Sequence, residues 1–437
     1  MRLRLILGWL LVLSLVAAIG YAQTPAPAPT LSLAEALTIA RRNNPDYLQI
    51  LNNRNPASWE NRAAFASLFV PTADLSGSYY SSGAGNQSVP GLGTFPVSAF
   101  TNSQWALNFN YRLSGRTIAN KGLASANLAA TDQDIAGALV QLETVVRTQY
   151  LTIAEAQAQV GVARRSLERA NEQFNLAQAR YTVGQGTLID VRRAEVDTGS
   201  AAVNLLRADQ NSENQVLVLY QRLGVQAPSL AVTLTDSFPV VVPPWGMDSL
   251  VASALELNPG LRSLRSRQAS ARWGVRAARS EFLPSLFLSA DYGRNSLARN
   301  DSVFRGTNPW DVTIGVSLPL FEGLQRNARV SVAQEQESDL RQQVRARELG
   351  VRAEVVAAFH GLVAAYRAVG LQASNQRASG EALELATQRY RVGSGSFLEQ
   401  LDARLATDRA DADYTSAVYA YHRSIATLEQ AVGRPLR

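Results

Sequence analysis

Cysteine is absent from the 437 residues, and only two histidines and two methionines occur. Without thiols the chain has no disulfide, no thiolate metal site and no cysteine to carry a lipid. His360 and His422 fall in helical stretches, off the alanine seams described below, and are expected on the surface. Acidic residues are scattered with no metal-ligand spacing, and no nucleophile motif occurs. Gly184-Gln185-Gly186 follows a helical pattern rather than a strand, which excludes a dinucleotide phosphate loop. No catalytic residue, metal or cofactor is therefore expected. The formal charge of +6 includes Arg2 and Arg4, acids and bases interleave, and no aromatic-rich basic stripe appears, so nucleic acid is not an expected partner. Beyond the N-terminus no 18-residue apolar stretch is read, so any membrane span must be built from strands.

The N-terminus has its own grammar. Arg2 and Arg4 precede an apolar run from Leu5 to Ile19, and Gly20-Tyr21-Ala22 supplies small residues for cleavage after Ala22. Residues 1–22 read as a secretory signal peptide. The alternative, a single anchor, needs a longer run and a basic stop-transfer cluster. Residues 23–30 form a proline-stiffened leader.

The rest of the chain is written twice. Arg180-Tyr181-Thr182-Val183-Gly184-Gln185-Gly186 recurs as Arg389-Tyr390-Arg391-Val392-Gly393-Ser394-Gly395, in a register that also matches Gly224 to Gly433. Asn44-Pro45 recurs as Asn258-Pro259, Phe69-Val70-Pro71 as Phe282-Leu283-Pro284, and Trp105 as Trp310. Ordered matches along both halves predict two structural repeats, 31–228 and 247–437, joined by a Pro- and Val-rich connector at 229–246.

Each repeat holds two stretches of period two, expected near 71–80, 105–114, 284–293 and 310–320. Leu75, Tyr79, Trp105, Leu107, Phe109 and Tyr111 alternate with Asp74, Ser76, Asn108 and Asn110; Leu286, Leu288 and Tyr292 alternate with Ser289 and Asp291; Trp310, Val312, Ile314 and Val316 alternate with Asp311 and Thr313. Period two marks half-buried strands. Strands of about ten residues with aromatic ends suit a transmembrane barrel. A soluble sandwich is the alternative, but it requires more strands than four. Gly-, Ser-, Asn- and Pro-rich loops (Ser81–Gln104, Gly293–Pro309) join each pair.

Between the strand pairs the chain spells coiled coils, with hairpins expected at 117–224 and 324–433. Large residues recur every seven positions at Leu139, Val146, Ile153, Val160, Leu167, Phe174 and Tyr181, with Ala156, Ala163, Ala170 and Ala177 three residues after several of them. Ala194, Ala201 and Ala208 continue the step on the returning helix. Val355, Leu362, Val369, Leu383 and Tyr390 answer in the second repeat, with Ala403, Ala410 and Ala417 on its return. These are knobs-into-holes seams, and Gly-x-Gly marks each hairpin turn. Four strands cannot close a barrel, and an open edge in lipid leaves backbone groups unsatisfied. Other copies of the chain must complete it: two give eight strands and a filled interior, three give twelve and a lumen.

The order short helix, strand, loop, strand, long hairpin, given twice, with the R-Y-x-V-G-x-G tips and the FVP/FLP strand entries, resembles the TolC-like outer-membrane efflux proteins over nearly the whole chain. The resemblance implies an α+β membrane protein. It would be a homotrimer sharing one twelve-stranded transmembrane β-barrel in the lipid bilayer of the outer membrane, four strands per chain, continued by a coiled-coil α-helical barrel in the periplasm. It implies an exit duct served by a periplasmic adaptor and energised by an inner-membrane RND or ABC transporter. The alternative is a periplasmic adaptor itself, which would carry one hairpin flanked by small β-domains. Many family members bear a lipidated N-terminal Cys; this chain lacks it and would be held by its barrel.

By the same resemblance, acids after the second V-G turn, Glu399 and Asp402, line a periplasmic aperture, where the first hairpin has Asp190 and Arg193. The alternative is a solvated helix face. Tyr181, Tyr390 and Asp190, with Arg180, Arg192, Arg193, Arg389, Arg391 and Arg404, are candidates for bonds that hold the tube shut. The tyrosines are equally candidates for the last knobs of their seams. The tips Val183, Gly184, Gly186, Val392, Gly393 and Gly395 are expected to meet the adaptor.

Overall fold

The computed structural model describes residues 30–229, 232–298 and 307–436. The expected signal peptide, nearly all of the leader and half of the second strand-connecting loop lie outside the described residues. The first half runs β1 (Thr30–Leu31), α1 (Leu33–Asn43), α2 (Pro45–Asn52), α3 (Arg54–Ala66), β2 (Thr72–Ser82), β3 (Gly85–Val89), β4 (Gly93–Val97), β5 (Phe100–Leu113), α4 (Gly115–Thr182) and α5 (Leu188–Leu223). After β6 (Thr233–Leu234) the second half runs α6 (Met247–Leu257), α7 (Pro259–Arg279), β7 (Ser285–Ala298), β8 (Trp310–Ser317), α8 (Gln325–Arg391) and α9 (Phe397–Val432).

The long helices follow from the heptads. At 68 and 67 residues, α4 and α8 are each about 100 Å long. Of the expected knobs, Val146, Ile153, Val355 and Leu362 are fully buried, and the seam alanines Ala156, Ala170, Ala177, Ala194 and Ala201 are buried as well. Side chains of α1, α4 and α5 form one core, and those of α6, α8 and α9 another.

The repeated Asn-Pro and Gly positions meet in space. Asn44 caps α2 by accepting the Tyr47 N–H (2.9 Å), and its amide donates to the Arg222 carbonyl (2.8 Å) at the end of α5. Gly224, in the left-handed region at φ 75°, terminates α5 so close to Asn43 that a Cβ would overlap its backbone. Asn258 likewise accepts from Leu261 (3.1 Å) and donates to Ala431 (3.2 Å), beside Gly433 at φ 87°. Each junction sets a short column end to end on a returning helix: α2–α3 on α5, and α7 on α9.

Four columns result, side by side: α3/α5, α4, α7/α9, α8. The four-stranded sheet has the matching order β2-β5-β7-β8, antiparallel throughout. Each column thus carries one strand, and the chain is an open array. Its two edges differ: β2 with α3 and α5 on one side, β8 with α8 on the other.

Several expectations are corrected. The strands begin or end away from 105, 293 and 320, because polar residues extend the ladder: Thr101 to Gln104 pair with β2 on one side and β7 on the other. Pro319 lacks the N–H that would prolong β8. The first connecting loop, within Ser81–Gln104, contains the β3–β4 hairpin, which was not expected, turned by Gly91 (φ 84°) and Gly93 (φ 93°). A stretch of α8 reaches mean hydropathy 1.3 over 18 residues, enough to pass for a membrane span by composition. It lies inside the 67-residue coiled-coil helix, where alanines and valines serve packing on α9. His422 is buried rather than on the surface: the connector folds back over α9, placing the Phe238 carbonyl 3.0 Å from its Nε2 and the Phe238 ring against it. His360 is exposed, as expected.

Candidate channel mouth and hairpin tips

Both Gly-x-Gly turns use their glycines differently. Gly184 (φ 74°) and Gly393 (φ 83°) adopt the left-handed conformation that ends α4 and α8. Gly186 and Gly395 instead allow close approach, since a Cβ there would lie 3.1 Å from the Tyr181 and Tyr390 backbone nitrogens. Thr187 and Ser396 then cap the returning helices by accepting from the Asp190 and Glu399 N–H groups (3.3 and 3.1 Å). Val183, Val392, Leu188 and Leu398 are exposed around these turns.

The acidic candidates divide. Asp190 closes a capping box, accepting from the Thr187 N–H (3.3 Å) and hydroxyl (2.7 Å). Glu399 pairs with Arg389 of its own hairpin at 2.7 Å. Asp402 is exposed one turn further along α9.

The two tyrosines also divide. Tyr181 is exposed, whereas Tyr390 is buried with Ala177, Val191, Ala194 and Phe397 in a small core that joins the two hairpins. The Arg180 guanidinium, from the first hairpin, stacks 4.4 Å above the Tyr390 ring. The Tyr390 hydroxyl has no hydrogen-bond partner among the described residues, so no Tyr390–Asp190 bond forms within the chain. Burial pushes its pKa up, Arg180 pulls it back and Asp190 adds to the rise. Tyr390 is the last knob of its seam. Arg192 pairs with Glu195 at the surface (2.7 Å), and Arg193 and Arg391 are exposed.

Arg404 is different, and its surroundings were not foreseen. It is 3% exposed, about 12 Å along α9 from the tip. Its Nη2 donates to both oxygens of Asp197 on α5 (2.6 and 2.7 Å), Nη1 to Asp408 (2.7 Å) and Nε to Gln173 on α4 (3.1 Å). Asp408 also accepts from Ser166 (2.6 Å) and Arg169 (2.6 Å) of α4. Asp411 accepts from Arg169 (2.9 Å) and from Gln376 of α8 (2.8 Å). Burial raises the Asp197 pKa and a second carboxylate, Asp408, adds to this, while Arg404 opposes it. The sequence signal was the i, i+4, i+7 set Arg404, Asp408 and Asp411, charge placed beside an alanine seam.

Comparison with known proteins follows the same outline. The profile of the outer membrane efflux protein family matches residues 36–225 and 250–434. The chain is 26% identical over 421 residues to the outer membrane protein TolC of Vibrio cholerae, an alignment covering 92% of this chain and 90% of that protein. It is 27% identical over 280 residues to the outer membrane efflux protein BepC of Brucella suis, there covering 62% of this chain and 60% of the relative. Among solved structures, the CmeC outer membrane channel of Campylobacter jejuni superposes with a TM-score of 0.78 at 20% identity, over 92% of this chain and 85% of CmeC. The open state of the MtrE outer membrane channel of Neisseria gonorrhoeae gives 0.76 at 22% identity, over 93% and 89%.

Proposed function

The chain belongs to the outer membrane efflux protein family, and from that premise we propose that three copies close into one duct through which substrates leave the periplasmic side for the cell exterior. The observation that carries this reading is the open array with unlike edges. Head-to-tail joining of β8 and α8 to the β2, α3 and α5 of the next copy satisfies both edges, and repeated rotation closes a ring.

The edge side chains support it. Ile189, Val196 and Val203 stand exposed seven apart on α5, while Leu371 and Leu385 stand exposed fourteen apart on α8. Each is half of a coiled-coil seam waiting for a partner. Three copies of the sheet give a twelve-stranded barrel with a lumen. The strand register sets Asp74, Asn108, Asp291 and Asp311 opposite one another on one sheet face, with Leu75, Leu107, Tyr292 and Trp310 on the other. A polar lumen and an apolar lipid face follow.

In this reading the two halves are structural repeats, the hairpins form the periplasmic tube, and the duct draws on an inner-membrane RND or ABC pump through a periplasmic adaptor. Val183, Gly184, Gly186, Val392, Gly393 and Gly395 are the proposed adaptor contacts. Glu399 and Asp402 of three chains ring the mouth and attract cations. Recording from the purified protein in planar bilayers tests the duct: a trimer with discrete conductance is expected, and a detergent-independent monomer without conductance overturns it. In the same recordings Glu399→Ala/Asp402→Ala is expected to lower cation selectivity; unchanged selectivity removes the aperture assignment.

A further inference from the structure

The apolar face of the sheet changes character along its height. Residues paired across the ladder share a face, which divides it into rows. From the row of Leu113, Leu286 and Val316 to that of Leu107, Tyr292 and Trp310, every side chain on this face is apolar or aromatic. The next row sets Gly77 beside Trp105 and Trp105 beside Arg294, and past it Tyr79 faces Ser103. Leu113 to Trp105 spans about 26 Å of strand, so the Arg294 row stands at the margin of the apolar band, at the end away from the helices.

Among the described residues Arg294 is the one charged residue on that face of the four strands; Asp74, Asp291 and Asp311 all lie on the other. Its half-buried side chain lines a recess of about 380 Å³ together with Gly77, Tyr79, Ser103 and Trp105. Gly77 keeps the recess open. It has no side chain where its neighbours in the row bear an indole and a guanidinium, and a Cβ there would come no closer than 3.9 Å, to the Gln104 carbonyl. Trp105 meets Tyr292 edge to face, with ring centroids 5.7 Å apart, and walls the recess on its apolar side.

A guanidinium facing lipid is costly at mid-bilayer and tolerated at the margin, where charged headgroups begin. Its planar fork matches phosphate oxygens through two parallel hydrogen bonds. A phosphate fills only part of such a recess, and the remaining space, edged by the Tyr79 and Ser103 hydroxyls and the Trp105 indole, suits the sugar that carries it. The apolar rows beneath would take the acyl chains of the same molecule.

We infer that this recess binds the phosphorylated sugar headgroup of a glycolipid in the outer leaflet, with Arg294 on the phosphate and Trp105 against the sugar. The inference rests on the channel reading, which turns this sheet face to lipid, and adds a ligand that the duct itself does not require. Three copies carry three such sites.

The test is titration of the purified trimer in detergent with diphosphorylated lipid A, bound lipid being counted by native mass spectrometry. Arg294→Gln is expected to weaken binding roughly tenfold, the worth of one charge-assisted contact. Gly77→Leu fills the recess and keeps the guanidinium; a similar loss is expected, and it decides should Arg294→Gln fail to assemble. Arg329→Gln, which breaks surface pairs where the sheet meets the helices, is the control and is expected to bind as the parent does. Unchanged affinity in Gly77→Leu and Arg294→Gln overturns the site. Dephosphorylated lipid A or phosphatidylglycerol binding as tightly, or millimolar inorganic phosphate displacing the lipid, overturns the glycolipid assignment. A conducting trimer that holds no lipid A overturns the site and leaves the duct standing, whereas a parent protein that is a water-soluble monomer overturns the duct itself.

Discussion

At the tips, identical motifs meet different fates. Tyr181 and Tyr390 occupy the same place in R-Y-x-V-G, yet one is exposed and the other is packed beneath Arg180. The sequence shows both as heptad positions but carries no local sign of which hairpin packs its face on the other. Asp190 carries a different local signal: Thr187 three residues earlier forms a capping box with it, which the repeat pattern alone did not bring out. Because the Tyr390 hydroxyl has no partner among the described residues, Tyr390→Phe is expected to leave the thermal midpoint of the protein nearly unchanged. Tyr390→Ala empties a buried site and is expected to cost about 3 kcal/mol, read as a lowered midpoint. A large loss from the phenylalanine variant contradicts the knob assignment.

Among elements, what was local was legible. The long helices and their alanine seams declare themselves because each knob's partner lies on the neighbouring heptad. Strand ends were not, since Thr101 to Gln104 are polar and owe their extended form to ladders on both sides. Nor was the buried His422, which depends on a connector contact 184 residues away in sequence. The column junctions give a sharp prediction. Gly224→Ala must relieve both a positive φ and an overlap with Asn43, so a loss of about 2–3 kcal/mol and a lower yield of folded protein are expected, against little change for the exposed helical Gly199→Ala.

The α7–α8 contact titrates. Burial alone would raise the Glu337 pKa, but hydrogen bonds from Gln268, Arg341 and Arg272 and the Arg341 charge outweigh it and hold the carboxyl below its ordinary 4.5. The ionised form is the one favoured on folding. Its contribution is therefore present above pH 4.5 and lost as pH falls through the lowered value. Melting curves should show Glu337→Gln less stable than the parent at neutral pH and the gap narrowing below pH 4.5. A gap that widens on acidification reverses the sign and the assignment.

For the whole molecule, the matching order of columns and strands is what suits four helical columns and four strands to be a segment of the proposed tube. Neither order is written locally; both follow from the end-to-end junctions at Asn44–Gly224 and Asn258–Gly433, which fix where each short column sits. Given that order, the exposed heptads on α5 and α8 cease to be incidental surface. Val196 is 71% exposed and Leu385 62%, values that a finished coiled coil does not leave at its core positions. A charge placed at one edge must then act on assembly and not on the fold of the single chain, whose own seams lie elsewhere. Val196→Asp/Val203→Asp is expected to abolish trimers in detergent while helix content by circular dichroism stays the same, and Leu385→Asp to do so from the opposite edge. Pairing Val196→Asp with Leu385→Lys tests whether the two edges face each other: partial return of the trimer is expected if α5 of one copy lies along α8 of the next. Trimers that survive Val196→Asp/Val203→Asp would mean that copies join along some other face.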